Sequence, residues 1–210
     1  YSVGKSIFYT LFDKFPSNLP KIVYNFLWET LNALFSKNNA LKLCKYSNEA
    51  RNILIAPTTH IYQYHSESVS FLSKYVNIRC DLFDNELIKS ILGLFLQFSH
   101  CSFFQIEAEH FFIEASKVDI LLCRIVKYVV PVLIVEATIT DHNLVPYFSM
   151  SILENLAKNP TAKKMMINLE NGKEFFEKTL PEYIKKRDSN YGGNNSNSLW
   201  SLIMSPLSIF

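Results

Sequence analysis

Apolar residues recur along this chain at intervals of three and four, interrupted by proline and asparagine. Ile22, Val23, Phe26, Leu27, Thr30, Leu31, Leu34 and Phe35 follow helical spacing and predict a helix over 21–36. Pro16 and Pro20 punctuate its start. Short apolar pieces follow at 40–46 and 49–55, the second closed by Pro57. A helix is expected over 60–76 with Ile61, Tyr64, Val69, Leu72 and Val76 inward. Asp84 has the chemistry of an N-cap for the next helix, 85–99. Its buried face would be Leu87, Ile88, Ile91, Leu92, Leu94 and Phe95. The stretch 102–116 continues with Phe103, Phe104, Ile106, Phe111 and Phe112.

Residues 118–138 leave two readings open. Their Val and Ile content favours strands. They also suit two buried helices broken at Pro131, between which periodicity cannot arbitrate. Beyond them, 146–158 carries Phe148, Ile152, Leu153, Leu156 and Ala157 at helical spacing. Asn159-Pro160 reads as an N-cap followed by proline at the first helical position, restarting a helix over 160–167. Asn171 with Glu174 resembles a capping box opening 172–179, and Pro181 restarts an amphipathic piece to about 187. Residues 188–198, rich in Ser, Asn and Gly, read as a flexible loop. The segment 199–210 is apolar again and is expected to dock on the array or on a partner.

Composition sharpens this picture. Five glycines in 210 residues fall well below the ~15 expected at a usage of about 7%. Hairpins, phosphate loops and strand-to-helix turns all consume glycine, so an all-α chain is favoured. Hydrophobic residues make up 49%, including 17 Phe and 11 Tyr, which excludes a disordered chain. Charge is nearly balanced at +2, with no basic stripe for phosphate binding. Lys185, Lys186 and Arg187 suit the cationic last turn of a helix better than a nucleic-acid patch. Cys44, Cys80, Cys101 and Cys123 lack zinc-ligand spacing and are expected as buried free thiols. The most apolar stretch, 118–138, is broken by Asp119, Arg124, Lys127, Pro131 and Glu136, which makes a poor membrane span.

Many short helices, each with one apolar stripe, gain stability by stacking in layers. An internal echo fits that arrangement. Leu31, Leu34, Phe35, Ala40, Leu43 and Cys44 align without gaps on Leu153, Leu156, Ala157, Ala162, Met165 and Met166. Ile91, Leu94, Phe95, Phe103 and Phe104 form a weaker third copy, with His100 in place of the alanine. A repeat core of Leu31, Leu34, Phe35, Leu153, Leu156, Ala157, Ala162 and Met165 is therefore expected.

The run Ser149-Met150-Ser151-Ile152-Leu153-Glu154-Asn155-Leu156-Ala157 resembles the last-helix signature of an armadillo repeat. More specifically, residues 147–186, YFSMSILENLAKNPTAKKMMINLENGKEFFEKTLPEYIKK, resemble the C-terminal armadillo-like region of ARID-family subunits of SWI/SNF-type chromatin remodellers. The resemblance covers about a fifth of the chain. It implies a non-catalytic nuclear scaffold that holds other protein subunits of a large complex together. It implies no cofactor, metal, small-molecule ligand or membrane, and nucleic-acid contact only through the wider assembly. In peptide-binding relatives an Asn on this helix grips the partner's backbone. For Asn155 a surface or turn-facing role is favoured, because no ladder of such residues recurs.

The expected fold is thus all-α, an irregular armadillo/HEAT-like α-solenoid with loop insertions. It divides into a helical repeat domain at 1–187, the loop at 188–198 and the apolar segment at 199–210. Phe8, Leu11, Phe12 and Phe15, with the tail from Leu202 to Phe210, are candidates for sticky surfaces that a short array leaves uncovered. Two alternatives remain. One is a peptide-binding armadillo adaptor. The other is a PD-(D/E)xK-like metal-dependent nuclease or its relic, with Asp119 and Glu136 on adjacent strands and Glu107 or Glu109 as the helix acid. Thr138 stands where that pattern needs Lys. His60 and His65, five apart, do not match paired zinc ligands on a helix, and His100 and His110 read as core or boundary residues.

Overall fold

The computed structural model describes residues 20–139 and 143–190, and among them every regular element is a helix. These helices are α1 Lys21–Leu34, α2 Ala40–Leu43, α3 Lys45–Ile55, α4 Gln63–Ser73, α5 Asn85–Gln97 and α6 Ser102–Ala115. They continue with α7 Asp119–Tyr128, α8 Val130–Thr138, α9 Val145–Ala157 and α10 Pro160–Ile167. The last three pieces, α11 Gly172–Glu174, a π-helical stretch Phe175–Thr179 and α12 Leu180–Asn190, run on without a break. A 3₁₀ turn at Cys80–Leu82 leads into α5.

Local chemistry accounts for several boundaries. Asp84 accepts the Leu87 N–H at 2.9 Å and caps α5. Its apolar face Leu87, Ile88, Ile91, Leu92, Leu94 and Phe95 is buried throughout, as the pattern required. Asn159 accepts from the N–H groups of Thr161 and Ala162, at 2.9 and 3.3 Å, and Pro160 opens α10. The helix break in 118–138 falls at Val129, with Pro131 in the first turn of α8, where a missing N–H costs little.

The capping box at Asn171 is not formed. Asn171 has φ 61° and no side-chain cap bond. The residue instead turns the chain sharply after α10, in the left-handed conformation that Asn tolerates better than most side chains. That turn brings Gly172 against α10, where a Cβ would lie 2.0 Å from the Met166 carbonyl oxygen. Pro181 does not start a new helix either. Proline inside a helix lacks a donor and crowds the carbonyl four residues back. The wider π turn immediately before it lets the chain continue helically to Asn190. Residues 188–190, expected in the flexible loop, therefore belong to α12, and 191–210 lie outside the described residues.

The helices pack in two rows. In the first, α1 packs on α4, α4 on α6 and α6 on α9. In the second, α3 packs on α5, α5 on α7, and α7 on α8 and α10. Contacts between α3 and α4, α5 and α6, α6 and α7, and α8 and α9 join the rows. From α3 to α10 the chain crosses between rows repeatedly. The core between them is aromatic, with Trp28, Phe71, Tyr75, Phe83, Phe95, Phe104, Phe111 and Phe112 fully buried. Trp28 meets Phe71 edge-on at 5.5 Å, and the Tyr75 hydroxyl donates to the Ala40 carbonyl at 2.8 Å. Arg51 bridges α3 to the start of α5 through Asp84 and Glu86, at 2.7 and 2.6 Å.

Candidate interaction surface

Polar side chains of the first row gather across α1, α4 and α6. Asn32 on α1 donates to the Glu67 carbonyl and carboxylate on α4, at 2.8 and 2.7 Å. Lys74, just after α4, donates to the Asn32 carbonyl and side-chain oxygens at 2.9 and 2.8 Å. Gln63 donates to Glu29. Burial raises the Glu67 carboxyl above its ordinary range, and the neighbouring Glu107 and Glu29 charges push the same way. Burial lowers the Lys74 ammonium, against the pull of Glu67 and Glu107. Asn32, Glu67 and Lys74 form one half-buried polar cluster, with Gln63 and Glu29 exposed beside it.

A second cluster lies where α6 meets α9 and α12. Glu109 is 4% exposed, accepts from the Ser151 hydroxyl, and has its carboxyl raised by burial. Arg187 on α12 holds Glu154 on α9 at 2.7 Å. It is thus engaged in structure, while Lys185 and Lys186 are exposed. Asn155 donates to the Ser151 carbonyl at 3.0 Å and accepts from Lys158 at 3.2 Å. Asn155 itself is half-buried, near the C-terminal end of α9.

Around these clusters the surface carries exposed apolar side chains. Ile22 and Phe26 on α1 are 77% and 65% exposed, and Leu41, Ile120 and Val135 also face outward. The outward position of Ile22 and Phe26 reverses what an unbroken apolar stripe suggests, because α1 buries Trp28 and Leu31 instead.

The eight expected repeat-core residues divide. Leu31, Leu153, Leu156 and Ala162 are buried, Phe35, Ala157 and Met165 are half-buried, and Leu34 is 41% exposed at the end of α1. α1 and α9 both lie in the first row, while α5, which carries Ile91, Leu94 and Phe95, lies in the second, and Phe103 is 49% exposed.

The strand pair needed by a PD-(D/E)xK centre is not formed. Asp119 begins α7 and Glu136 lies on α8, while Glu109 is tied to Ser151. No group of three His, Cys, Asp or Glu among the described residues could hold a metal ion. Cys80 and Cys123 are exposed and Cys44 and Cys101 half-buried, contrary to the expectation of buried thiols. Short 3₁₀ and helical geometry turns both exposed thiols off the core. His60, His100 and His110 are exposed, and among the described residues the buried histidine is His65. No helix among the described residues is long and apolar enough to cross a membrane.

The Asn32–Glu67–Lys74 cluster escaped sequence reasoning because Asn32 lies on α1 while Glu67 and Lys74 belong to α4 and its C-terminal end. No family model, curated protein or solved structure matches the chain.

Proposed function

We propose that this chain is a helical scaffold of the armadillo/HEAT-like solenoid kind, whose role is to hold other proteins together. The observation that carries the reading is the pair of helix rows, between which the chain crosses repeatedly from α3 to α10. Such packing adds surface with each helix, and its ends and outer faces remain available to partners. Exposed Ile120 and Val135 on α7 and α8 supply apolar side chains of the sort protein interfaces cover. The narrower reading, a nuclear subunit of a SWI/SNF-type remodeller, rests on the resemblance over residues 147–186 and concerns protein partners of that complex.

Cross-linking followed by affinity purification of the tagged chain from its own cells tests both levels. Recovery of remodeller subunits, lost in a Val135→Asp variant that stays folded, is the expected result. Recovery of an unrelated stable complex would refute the remodeller assignment and leave the scaffold. A chain recovered without stoichiometric protein partners would refute the scaffold as well.

A further inference from the structure

The chain contains one Asn–Gly pair, Asn171–Gly172, in the turn between α10 and α11. Asparagine before glycine is chemically labile, because no Cβ shields the following amide nitrogen from the side-chain carbonyl carbon. That nitrogen can attack Cγ of the asparagine. The N–Cγ bond then forms, the Cγ–Nδ2 bond breaks, and ammonia leaves with the proton of the glycine N–H. The product is a five-membered succinimide, which water opens at either ring carbonyl to aspartate or isoaspartate.

The fold opposes each requirement of this step. Ring closure needs Cβ of Asn171 eclipsed with the Gly172 nitrogen about the Cα–C bond, and ψ −4° holds the two far from that arrangement. Attack needs the Gly172 nitrogen deprotonated, and its N–H donates to the Leu169 carbonyl at 3.0 Å. Rotation into the reactive geometry needs room, and Gly172 is buried so closely that not even a Cβ fits beside the Met166 carbonyl oxygen. The Asn171 carbonyl accepts the Phe175 N–H at 3.1 Å, which ties the same peptide unit into α11.

We propose that Asn171–Gly172 is a latent deamidation site, closed in the folded chain and opened when Gly172 leaves its seat on α10. Water is the co-reactant. Conversion to isoaspartate adds a methylene to the backbone, which a turn packed this tightly does not absorb. α11, the π-helical stretch and α12 run on without a break, so loosening the turn reaches the helix whose Arg187 holds Glu154 on α9.

The test incubates the full chain at mildly alkaline pH and physiological temperature, either folded or unfolded in guanidinium. Peptide mapping follows the change from amide to acid at 171 and the appearance of isoaspartate. Conversion should be at least about tenfold slower in the folded chain, because it waits for local opening. Equal rates, or no conversion in guanidinium, would overturn the proposal. A second arm isolates the isoaspartyl form and returns it to native conditions. Its amides over 172–187 should exchange on the order of tenfold faster than in the unconverted chain, while α5 keeps its protection. Unchanged exchange over 172–187 would overturn the coupling of the turn to α12.

Discussion

His65 is 3% exposed, and its ring nitrogen Nδ1 accepts the Tyr62 N–H at 3.0 Å. A protonated imidazole would lose that acceptor and carry a charge without solvent. Burial accordingly depresses its pKa to about 4 from 6.5. The unfolded chain then binds the proton more readily than the folded one below pH 6.5. The stability this neutral histidine contributes is full above that value and is lost progressively as pH falls toward 4. His65→Gln keeps an acceptor at the third helical position and removes the titration. Between pH 7 and pH 5 the unaltered chain should lose about 2 kcal/mol more than this variant in urea unfolding. Equal losses would mean that His65 titrates as if exposed. At Gly172 the issue is space. An added methyl group overlaps the Met166 carbonyl oxygen, so Gly172→Ala should cost about 1–3 kcal/mol, visible as a lower Tm.

Helix ends and interruptions obey nearer neighbours. Asp84 both caps α5 and receives Arg51, so Asp84→Asn keeps the cap and weakens the ion pair, while Asp84→Ala removes both. Asp84→Ala should cost about 1–2 kcal/mol and Asp84→Asn less than half of that, measured by denaturant unfolding. Equal losses would assign the effect to the ion pair rather than the cap. Asp84, Asn159 and Pro160 could be recognised in the text because a cap binds N–H groups two or three residues away. Asn171 and Pro181 were misread from the same vocabulary. In both cases the deciding contact, Gly172 on α10 or the π turn before Pro181, depends on how α10 and the last helix meet.

At the scale of the whole molecule, the two rows share one aromatic core, so damage to it spreads. Leu153 on α9 is fully buried, and Leu153→Asp places a charge there without a partner. The substitution should abolish cooperative unfolding and helical circular dichroism together. Val135→Asp, on a side chain 56% exposed, should stay within about 0.5 kcal/mol of the unaltered chain. A folded Leu153→Asp protein would remove α9 from the core.

By itself the sequence determined that the described chain is helical over most of its length, where α5, α9 and α10 lie and how two of them begin. Those features rest on hydrophobic period, scarce glycine and caps that act within a few residues. The tertiary structure decided the rest. It resolved 118–138 as helices, because residues buried on several sides show no periodicity of their own. It turned Ile22 and Phe26 outward and Trp28 inward, because an all-apolar stripe leaves the buried face to whichever neighbour arrives. It also joined Asn32, Glu67 and Lys74, residues 32 to 74 along the chain, because charge and hydrogen bonding act through space that only the packing of α1 on α4 creates.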